Sequence, residues 1–307
     1  MNTELEQVVV EVGKVIKGKD RVIRKVLAAV LAGGHILLED IPGVGKTTLA
    51  MALGKAMELE YKRMQFTPDV LPSDIVGFTM YNSAIGEFEY KKGAVFCNLF
   101  LADELNRTSS KTQSALLEVM EESRVTVDGV SHPLPNPFAV IATENPFGSS
   151  GTQRLPESQL DRFLICLSMG YPSHDAAVDI LKSSAGEGLG QVQSVITVER
   201  LMEFRKQAES LHVEEGIYEY LVRLVEETRK DTRIALGVSP RGGIALLKMA
   251  RAMALLRGGD YVIPEDVLSV IDDVWRHRIH LNAKARAEGM DVSAVIMEIT
   301  ERIQAVR

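Results

Sequence analysis

The stretch that decides the fold is LLEDIPGVGKTTLA, at residues 37 to 50. It follows the phosphate-loop pattern G-x-x-x-x-G-K-[ST] at every position but the first, where Asp40 replaces glycine. In that pattern backbone N–H groups surround the phosphates, the lysine reaches the β- and γ-phosphates, and the hydroxyl binds Mg²⁺. Aspartate tolerates unusual turn conformations, so we interpret Asp40 as a tolerated replacement without side-chain chemistry. The predicted phosphate contacts are Asp40, Ile41, Pro42, Gly43, Val44, Gly45, Lys46, Thr47 and Thr48.

The residues around this loop predict a strand before it and a helix after it. HILLE has the character of a short buried strand, and TTLAMALGKAM that of a helix. A helix N-terminus directs free N–H groups and the positive end of its dipole at an anion. Upstream, apolar residues recur at helical spacing over 20–32 behind a possible Asp20 cap, and Gly33-Gly34 ends this helix. The setting favours a phosphate loop over a chance glycine turn.

Apolar strands alternate with helices through the first two thirds of the chain. Further buried strands are predicted in AVFCNLFLADE, FAVIATEN and FLICLSM, with a helix around TQSALLEVMEE. Such alternation predicts a parallel sheet covered by helices on both faces. Two hairpins interrupt it, one at 78–93 around Gly86 and one at 124–134 around Asp128-Gly129.

The chain of 307 residues is long enough for about two domains. We predict an α/β nucleotide-binding domain over 1–195 and a small all-helical domain over 196–307, in which no strands are expected. GEGLGQ, at 186–191, is the best linker candidate. Helix starts in the second domain are marked by Thr197, Ser239 before Pro240, and Pro264.

Composition and charge limit the possible classes of function. Charged residues make up 25% and apolar residues 46% of the chain, as in a globular protein. The net charge of −7 argues against a protein whose main function is to bind the nucleic-acid backbone. Cys97 and Cys166 lie in apolar runs without paired spacing, which predicts buried free thiols in a cytoplasmic protein. We expect neither a signal peptide nor a membrane span.

Two acidic residues and one amide follow the predicted strands. Asp103 ends a strand where, together with Thr47, it could hold Mg²⁺, and Glu104 comes next, where it could activate a water. Asn145 ends the following strand and could position that water beside the γ-phosphate. These are the parts that phosphoryl transfer needs besides a cradle and positive charge. The alternative is that strands simply end in solvated polar residues, which is also our interpretation of Glu144.

Arginines supply the positive charge. Arg162 follows a short helix that begins near Pro156, where it could project towards another subunit; the alternative is an ion pair with Asp161 or Glu157. Arg154 is a rival for the same role. Arg241 lies in the first turn of a predicted helix, where the helix dipole disfavours a cation. A nearby phosphate would remove that conflict, and an exposed arginine tolerated at small cost is the alternative.

The segment WRHRIHLNAKAR, at 275–286, is basic and has His277 and His280 three residues apart. A metal site is disfavoured because no third ligand is visible nearby. We interpret the segment as the basic face of a terminal helix that meets a neighbour's acidic surface, and polyanion binding is the alternative.

With EDIPGVGKT, NLFLADE, NRTSSKTQSALLEVMEE, IATENP, LPESQLDRF and GVSPRGG in this order, the chain resembles the MoxR family of AAA+ ATPases over nearly its whole length. The resemblance implies an AAA+ αβα sandwich with two hairpin insertions and a helical lid. It also implies that Asn145 is sensor 1, Arg162 the arginine finger and Arg241 sensor 2. VIKGKD, at 15–20, resembles the family's segment beside the adenine, with Val15, Ile16 and Gly18 as contacts.

The resemblance further implies a ring, usually of six subunits, that binds ATP or ADP with Mg²⁺ between neighbours. Such proteins act as chaperone-like machines that remodel client proteins or insert cofactors, often with a partner that bears a von Willebrand factor A domain. One alternative is a nucleotide switch that does not hydrolyse ATP. Another is a DNA-translocating motor, since helicase relatives share both hairpins, but the tip Asp128-Gly129 carries no cation and the chain is acidic.

Overall fold

The computed structural model describes residues 2–84, 86–145, 155–182 and 188–303. Arg154, the rival candidate for the finger, lies outside these residues. The strands are β1 Ile36–Glu39, β2 Tyr61–Gln65, β3 Gly77–Asn82, β4 Glu87–Lys92, β5 Leu99–Asp103, β6 Arg124–Val127, β7 Val130–Pro133, β8 Ala139–Glu144, β9 Ile165–Leu167, β10 Ile234–Leu236 and β11 His280–Leu281.

Helices surround the strands throughout the described chain. They are α1 Thr3–Gly13, α2 Asp20–Leu31, α3 Lys46–Ala56, α4 Pro72–Val76, α5 Ser110–Glu122, α6 Glu157–Leu160, α7 His174–Lys182, α8 Gly188–Gln191, α9 Val198–Ser210, α10 Glu215–Lys230, α11 Pro240–Arg257, α12 Pro264–Leu268, α13 Ile271–Trp275, α14 Ala283–Ala287 and α15 Val292–Arg302. A short 3-10 turn covers Leu105–Arg107.

The central sheet has five parallel strands in the order β2-β5-β8-β1-β9. Because the strands are parallel, their carboxyl ends meet at one edge, and ligands bind there where the strand order reverses. Strand β1 lies between β8 and β9, so the loop that follows it opens beside the end of β8, which in turn neighbours β5. The predicted parallel sheet is confirmed, and the strand missing from the prediction is β2.

Alternate residues of the sheet strands pack into two hydrophobic cores. Ile36 and Leu38 of β1 face α1, α2 and α3, while Leu37 between them faces α5 and the hairpin β6–β7. This alternation follows from the two-residue side-chain period of a strand. Both faces of the sheet are therefore covered, as the apolar runs predict.

The two hairpins are antiparallel pairs, β3 with β4 and β6 with β7. Asp128 and Gly129 have φ values of 49° and 77° and make the tight turn predicted from their sequence. The rings of Tyr90 and His132 stack with centroids 4.0 Å apart and join the two hairpins.

After residue 195 the described chain, which includes the helical lid, is helical apart from a short antiparallel ribbon of β10 and β11. The prediction that strands cease after residue 195 is wrong for this ribbon, whose strands are too short to show a periodic pattern. The caps Thr197 and Ser239 are confirmed, since their side chains accept hydrogen bonds from Arg200 N at 3.3 Å and Gly242 N at 3.2 Å. Asp20, by contrast, is the first helical residue of α2, and its N-cap is Lys19.

Cys97 and Cys166 are free and buried, as predicted. Burial raises the pKa of Cys97 to about 12, so its thiol stays protonated near neutral pH. In the described part of the chain, no helix combines the length and apolar character needed to cross a bilayer.

Candidate active site

The loop between β1 and α3 has the backbone conformation of an anion cradle. Gly43 and Gly45 have φ values of 85° and 95°, which residues with a Cβ adopt only with strain. Gly45 is the N-cap of α3, and no side chain caps this helix start. The free N–H groups of the first helical turn therefore point into the loop, where an anion would satisfy them.

The Lys46 ammonium lies inside the loop. Its Nζ donates to the carbonyl oxygens of Asp40 at 2.8 Å and Ile41 at 3.4 Å. Burial lowers the pKa of Lys46, and nearby carboxylates oppose part of that shift. The side chain is thus held by carbonyl groups that it can exchange for phosphate oxygens.

Asp40 has a structural role that the loop pattern does not reveal. Its side chain is buried, and Oδ2 accepts hydrogen bonds from Ser168 Oγ at 3.1 Å, from Gly170 N at 2.9 Å and from Met169 N. These donors lie just after β9, which pairs with β1 in the sheet. The interpretation of Asp40 as merely tolerated is wrong, because its carboxylate anchors the start of the phosphate loop to this segment.

Replacing Asp40 with alanine leaves two backbone N–H groups without this acceptor. A buried donor without a partner costs about 1–3 kcal/mol, so we expect the free energy of unfolding to fall by about 2 kcal/mol or more. Urea denaturation of the full chain measures it. Asp69→Ala, at an exposed aspartate, is the control and should change stability by less than about 0.5 kcal/mol. Equal losses in the two variants would contradict the anchoring role.

The acidic pair at the end of β5 is fixed by Thr143 of β8. Thr143 Oγ1 donates to Asp103 Oδ1 at 2.7 Å and accepts from Glu104 N at 2.8 Å. Glu104 has a φ of 57°, in the left-handed region, so its backbone needs such support. Sequence reasoning missed Thr143 because a threonine inside an apolar strand gives no signal of its own.

Each of the two carboxylates also pairs with an arginine. Arg63 donates to Asp103 Oδ2 from Nη2 at 2.7 Å and from Nε at 3.2 Å, and Arg107 Nη1 donates to Glu104 Oε2 at 2.6 Å. Both arginine side chains are nearly half exposed, so these pairs hold the carboxylates only weakly. Arg63 was missed because it lies on β2, the strand that was not predicted.

A cavity of about 370 Å³ opens at this edge of the sheet. The residues that line it are Pro42, Gly43, Gly45, Lys46, Thr47, Thr48, Arg63, Gln65, Asp103, Glu104 and Asn145. Most of the predicted phosphate, metal and water contacts are therefore brought together. Glu144, interpreted from sequence as solvated, is in fact buried.

The donor set of this cavity fits a nucleotide with Mg²⁺. Thr47 and Asp103 offer a hydroxyl and a carboxylate oxygen, and Mg²⁺ favours one or two protein oxygens completed by waters and phosphates. Among the described residues, no group of three or more His, Cys, Asp or Glu side chains could hold a metal ion. Thr47 and Asp103 therefore suit a Mg²⁺ ion whose remaining ligands are waters and phosphate oxygens.

The segment predicted to contact adenine lies against the phosphate loop. A Cβ placed on Gly45 would lie 3.5 Å from Ile16 Cδ1 and 3.9 Å from Met169 Cε. Ile16 is buried and Val15 partly so, while Gly18 has a φ of 69°. Apolar side chains therefore stand beside the cradle, where a base could pack.

Arg162 and Arg241 lie together, apart from this cavity. Both pair with one carboxylate: Arg162 Nη1 is 3.1 Å from Glu121 Oε2, and Arg241 Nη1 is 3.5 Å from Glu121 Oε1. The predicted alternative partners of Arg162 are wrong, because Asp161 pairs with Arg278 and Glu157 with His280. The Glu121 carboxylate also supplies the anion that Arg241 needs at the start of α11.

The two arginines line a second cavity, of about 240 Å³, at the opposite edge of the sheet. Gly34 and His35, which precede β1, line it as well. The strand β1 separates the two cavities, and its four residues span roughly 13 Å at 3.3 Å per residue. Arg162 and Arg241 therefore face away from the phosphate loop of their own chain.

The prediction that residues 275–286 form a basic surface facing a neighbour is wrong for the first residues of this segment. His277 and Arg278 are buried, and both contact the backbone before β9. Burial lowers the pKa of His277 well below its usual value, so the ring is neutral. His277 Nε2 lies 3.1 Å from the Phe163 carbonyl oxygen and 2.7 Å from Arg278 Nη1, so both groups crowd this nitrogen and leave it unavailable to a metal.

Two family descriptions match parts of the chain. Residues 35–165 match the ATPase family associated with various cellular activities (AAA), and residues 226–299 match the AAA lid domain. The first range contains the phosphate loop, the acidic pair, Asn145 and Arg162, and the second contains Arg241 and Arg278.

Whole-length relatives are found among proteins and solved structures. YeaC of Bacillus subtilis is 46% identical over 98% of this chain and 94% of its own, and the chaperone MoxR1 of Mycobacterium tuberculosis is 38% identical over 97% and 81%. The protein MoxR of Methylorubrum extorquens is 30% identical over 88% and 86%. A crystal structure from Cytophaga hutchinsonii, described as a candidate ATPase, superposes with a TM-score of 0.92 at 39% identity and covers 99% of this chain and 96% of that one.

Proposed function

Because the chain belongs to the MoxR family of AAA+ ATPases, we propose that it is a Mg²⁺-dependent ATPase that hydrolyses ATP between the subunits of a ring. One observation carries the proposal most strongly. Arg162 and Arg241 lie together at the sheet edge opposite the phosphate loop. This placement supports a phosphate that comes to them from a second copy of the chain.

Residues of one subunit bind the nucleotide and the metal. The N–H groups over 43–48 and the Lys46 ammonium bind the phosphates, while Val15, Ile16 and Gly18 lie beside the adenine. Thr47 and Asp103 would hold Mg²⁺, which would neutralise phosphate charge. The anchoring of Asp40 to the segment after β9 keeps this loop open for phosphate before the nucleotide arrives.

The same subunit supplies the groups that act on water. Glu104 accepts a proton from the attacking water, and Asn145 orients that water beside the γ-phosphate. Glu104 must first give up its pair with Arg107, which is a small cost because the Arg107 side chain is 46% exposed. Thr143 holds the backbone N–H of Glu104 in place during this exchange.

The neighbouring subunit supplies positive charge. Arg162 exchanges the Glu121 carboxylate for the γ-phosphate of the adjacent site, and Arg241 does the same beside it. An arginine contributed in trans speeds phosphoryl transfer by about 10³- to 10⁵-fold. An isolated subunit should therefore hydrolyse ATP slowly, and the assembled ring, usually of six subunits in this family, is the active form.

The ring remodels or matures client proteins in the cytoplasm, and inserting a cofactor into a client is one form of this activity. Its partner is a protein with a von Willebrand factor A domain. The chaperone MoxR1 among its relatives supports a chaperone-like role. The hairpin β3–β4 exposes Phe78, Tyr81 and Phe88, and large exposed apolar side chains mark protein contact surfaces. The acidic chain and the tip of the hairpin β6–β7, which carries no cation, give no support to a DNA motor.

Mixing two inactive variants tests the shared site. Arg162→Ala keeps Glu104 intact, and Glu104→Gln keeps Arg162 intact. An interface is therefore competent when the Arg162→Ala subunit supplies its nucleotide side and the Glu104→Gln subunit supplies its arginine. Random assembly at equal amounts gives about one such interface in four. We expect the mixture to hydrolyse ATP well above either variant alone, as measured by phosphate release.

The matched control mixes Glu104→Gln with Lys46→Ala. Both variants damage the nucleotide side of the interface, so no combination contains a competent site and no recovery is expected. If mixing Arg162→Ala with Glu104→Gln gives no recovery at any ratio, the contribution across the subunit boundary is wrong.

A further inference from the structure

Arg278 binds the chain segment that carries Arg162. Its Nη2 donates to the Phe163 carbonyl at 2.6 Å and to the Asp161 carbonyl at 3.2 Å, and its Nη1 donates to the Leu164 carbonyl at 3.2 Å. Its Nε also donates to Asp161 Oδ1 at 2.7 Å. Arg162 lies between the two residues whose carbonyls share Nη2. One guanidinium therefore fixes the backbone on both sides of the proposed finger.

The same turn of the lid also contacts the start of the helix that carries Arg241. Trp275 Nε1 donates to the Gly242 carbonyl at 3.1 Å. A Cβ on Gly242 would lie only 3.0 Å from Arg278 Cδ, so the close approach depends on this glycine. Since Gly242 directly follows Arg241, Arg278 packs beside the backbone of the second arginine as well.

Arg278 is costly to bury, yet its donors are well satisfied. Its side chain is 3% exposed, and burial lowers its pKa although the Asp161 carboxylate opposes the shift. A guanidinium offers five donors in a fixed planar geometry, and here they reach backbone carbonyls and the Asp161 carboxylate. Stability alone explains such a group poorly, because buried ion pairs can often be replaced by apolar residues at no loss. The fixed geometry is the better explanation.

We propose that Arg278 is a positioning residue that holds Arg162 and Arg241 as one unit for presentation to the nucleotide of the neighbouring subunit. The inference rests on the proposed shared site. The lid thus contributes more than Arg241 to the interface, since it also sets where the finger of the α/β domain points.

The test uses the full-length Arg278→Lys variant, which keeps the charge but cannot span the same set of acceptors. A displacement of about 1 Å can cost about 100-fold in rate. We expect kcat for ATP hydrolysis to fall by about 10- to 100-fold, with KM and the affinity for a fluorescent ATP analogue within about twofold of the parent. A residue that only stabilised the fold would lower the apparent kcat through a smaller folded fraction, and the number of ATP analogue molecules bound per chain would fall with it; here that number should stay at the parent value.

Mixing variants distinguishes a defect in the arginines that a subunit presents to its neighbour from a defect in the subunit's own nucleotide site. Arg278→Lys mixed with Glu104→Gln should recover activity, because the second variant supplies well-placed arginines to the intact Glu104 of the first. Asp161→Asn is a second variant at a partly exposed position, and it should lower kcat in the same direction by a smaller factor.

Arg257→Lys is the matched control, because Arg257 also pairs with an aspartate, Asp266, and donates to a backbone carbonyl within the lid. It does not contact the segment with Arg162, so its kcat should stay within about twofold of the parent.

Three results would overturn the inference. The first is a kcat of Arg278→Lys within twofold of the parent, and the second is loss of ATP binding by this variant. The third is failure of Arg278→Lys to recover with Glu104→Gln while Arg162→Ala does recover. If Arg162→Ala also fails to recover, the shared site itself is wrong, which separates failure of the proposed function from failure of the role of Arg278.

Discussion

We expect Arg162→Ala to lower kcat for ATP hydrolysis by about 10³- to 10⁵-fold while ATP affinity stays near that of the parent. The affinity is spared because the phosphate loop, Lys46 and the acidic pair lie at the other edge of the sheet. The rate falls because the charge that develops on the transferred phosphoryl group loses its cation. Steady-state phosphate release and titration with a fluorescent ATP analogue measure the two quantities.

Two further substitutions sharpen this result. Arg162→Lys keeps a charge but loses the planar pair of donors, so its kcat should lie between that of Arg162→Ala and that of the parent. Arg124→Ala removes an exposed arginine whose ion pair is with Glu122 at the end of α5, and it should leave kcat unchanged. Equal kcat values for Arg162→Ala and the parent would remove Arg162 from its role.

The second large effect is expected at Glu104. Glu104→Gln preserves shape but cannot accept a proton, and loss of a general base costs about 10²- to 10⁴-fold in rate. We expect kcat to fall by that factor while ATP still binds and the ring still assembles. Filter binding with labelled ATP and size-exclusion chromatography measure binding and assembly.

Lys46→Ala serves as a reference variant that should not bind ATP, and Glu118→Gln serves as the control for the Glu104→Gln prediction. Lys46→Ala should lose ATP binding itself, because the ammonium is the main charge inside the loop. Glu118→Gln changes an exposed glutamate of α5 in the same way and should behave as the parent. Turnover in Glu104→Gln equal to that of the parent would favour a different base.

The predictable part of the fold is the part with a local signal. The strands β1, β5 and β8 are buried on both faces, so each appears in the sequence as an apolar run. Strand β2 is at the edge of the sheet and contains Lys62, Arg63 and Gln65, so it has no such run. Because β2 was not predicted, Arg63, the arginine that pairs with Asp103, was not predicted as part of the site either.

The parts of the site that could not be predicted depend on contacts between distant residues. Asp40 accepts from Gly170, and Arg278 donates to Phe163, across more than a hundred residues in each case. No periodic pattern encodes such pairs, because packing of the whole chain brings them together. Likewise, the sequence indicates that Arg241 starts a helix, but the fold decides which edge of the sheet that helix approaches.

The hydrophobic core that covers one face of the sheet continues without a break into the lid helices. A buried ion pair between Lys25 of α2 and Asp273 of α13 crosses the same boundary. A subunit built in this way resists bending at its own middle. If the chain forms the proposed ring, movement during ATP hydrolysis should then come from whole subunits that tilt against one another at the nucleotide-binding interfaces.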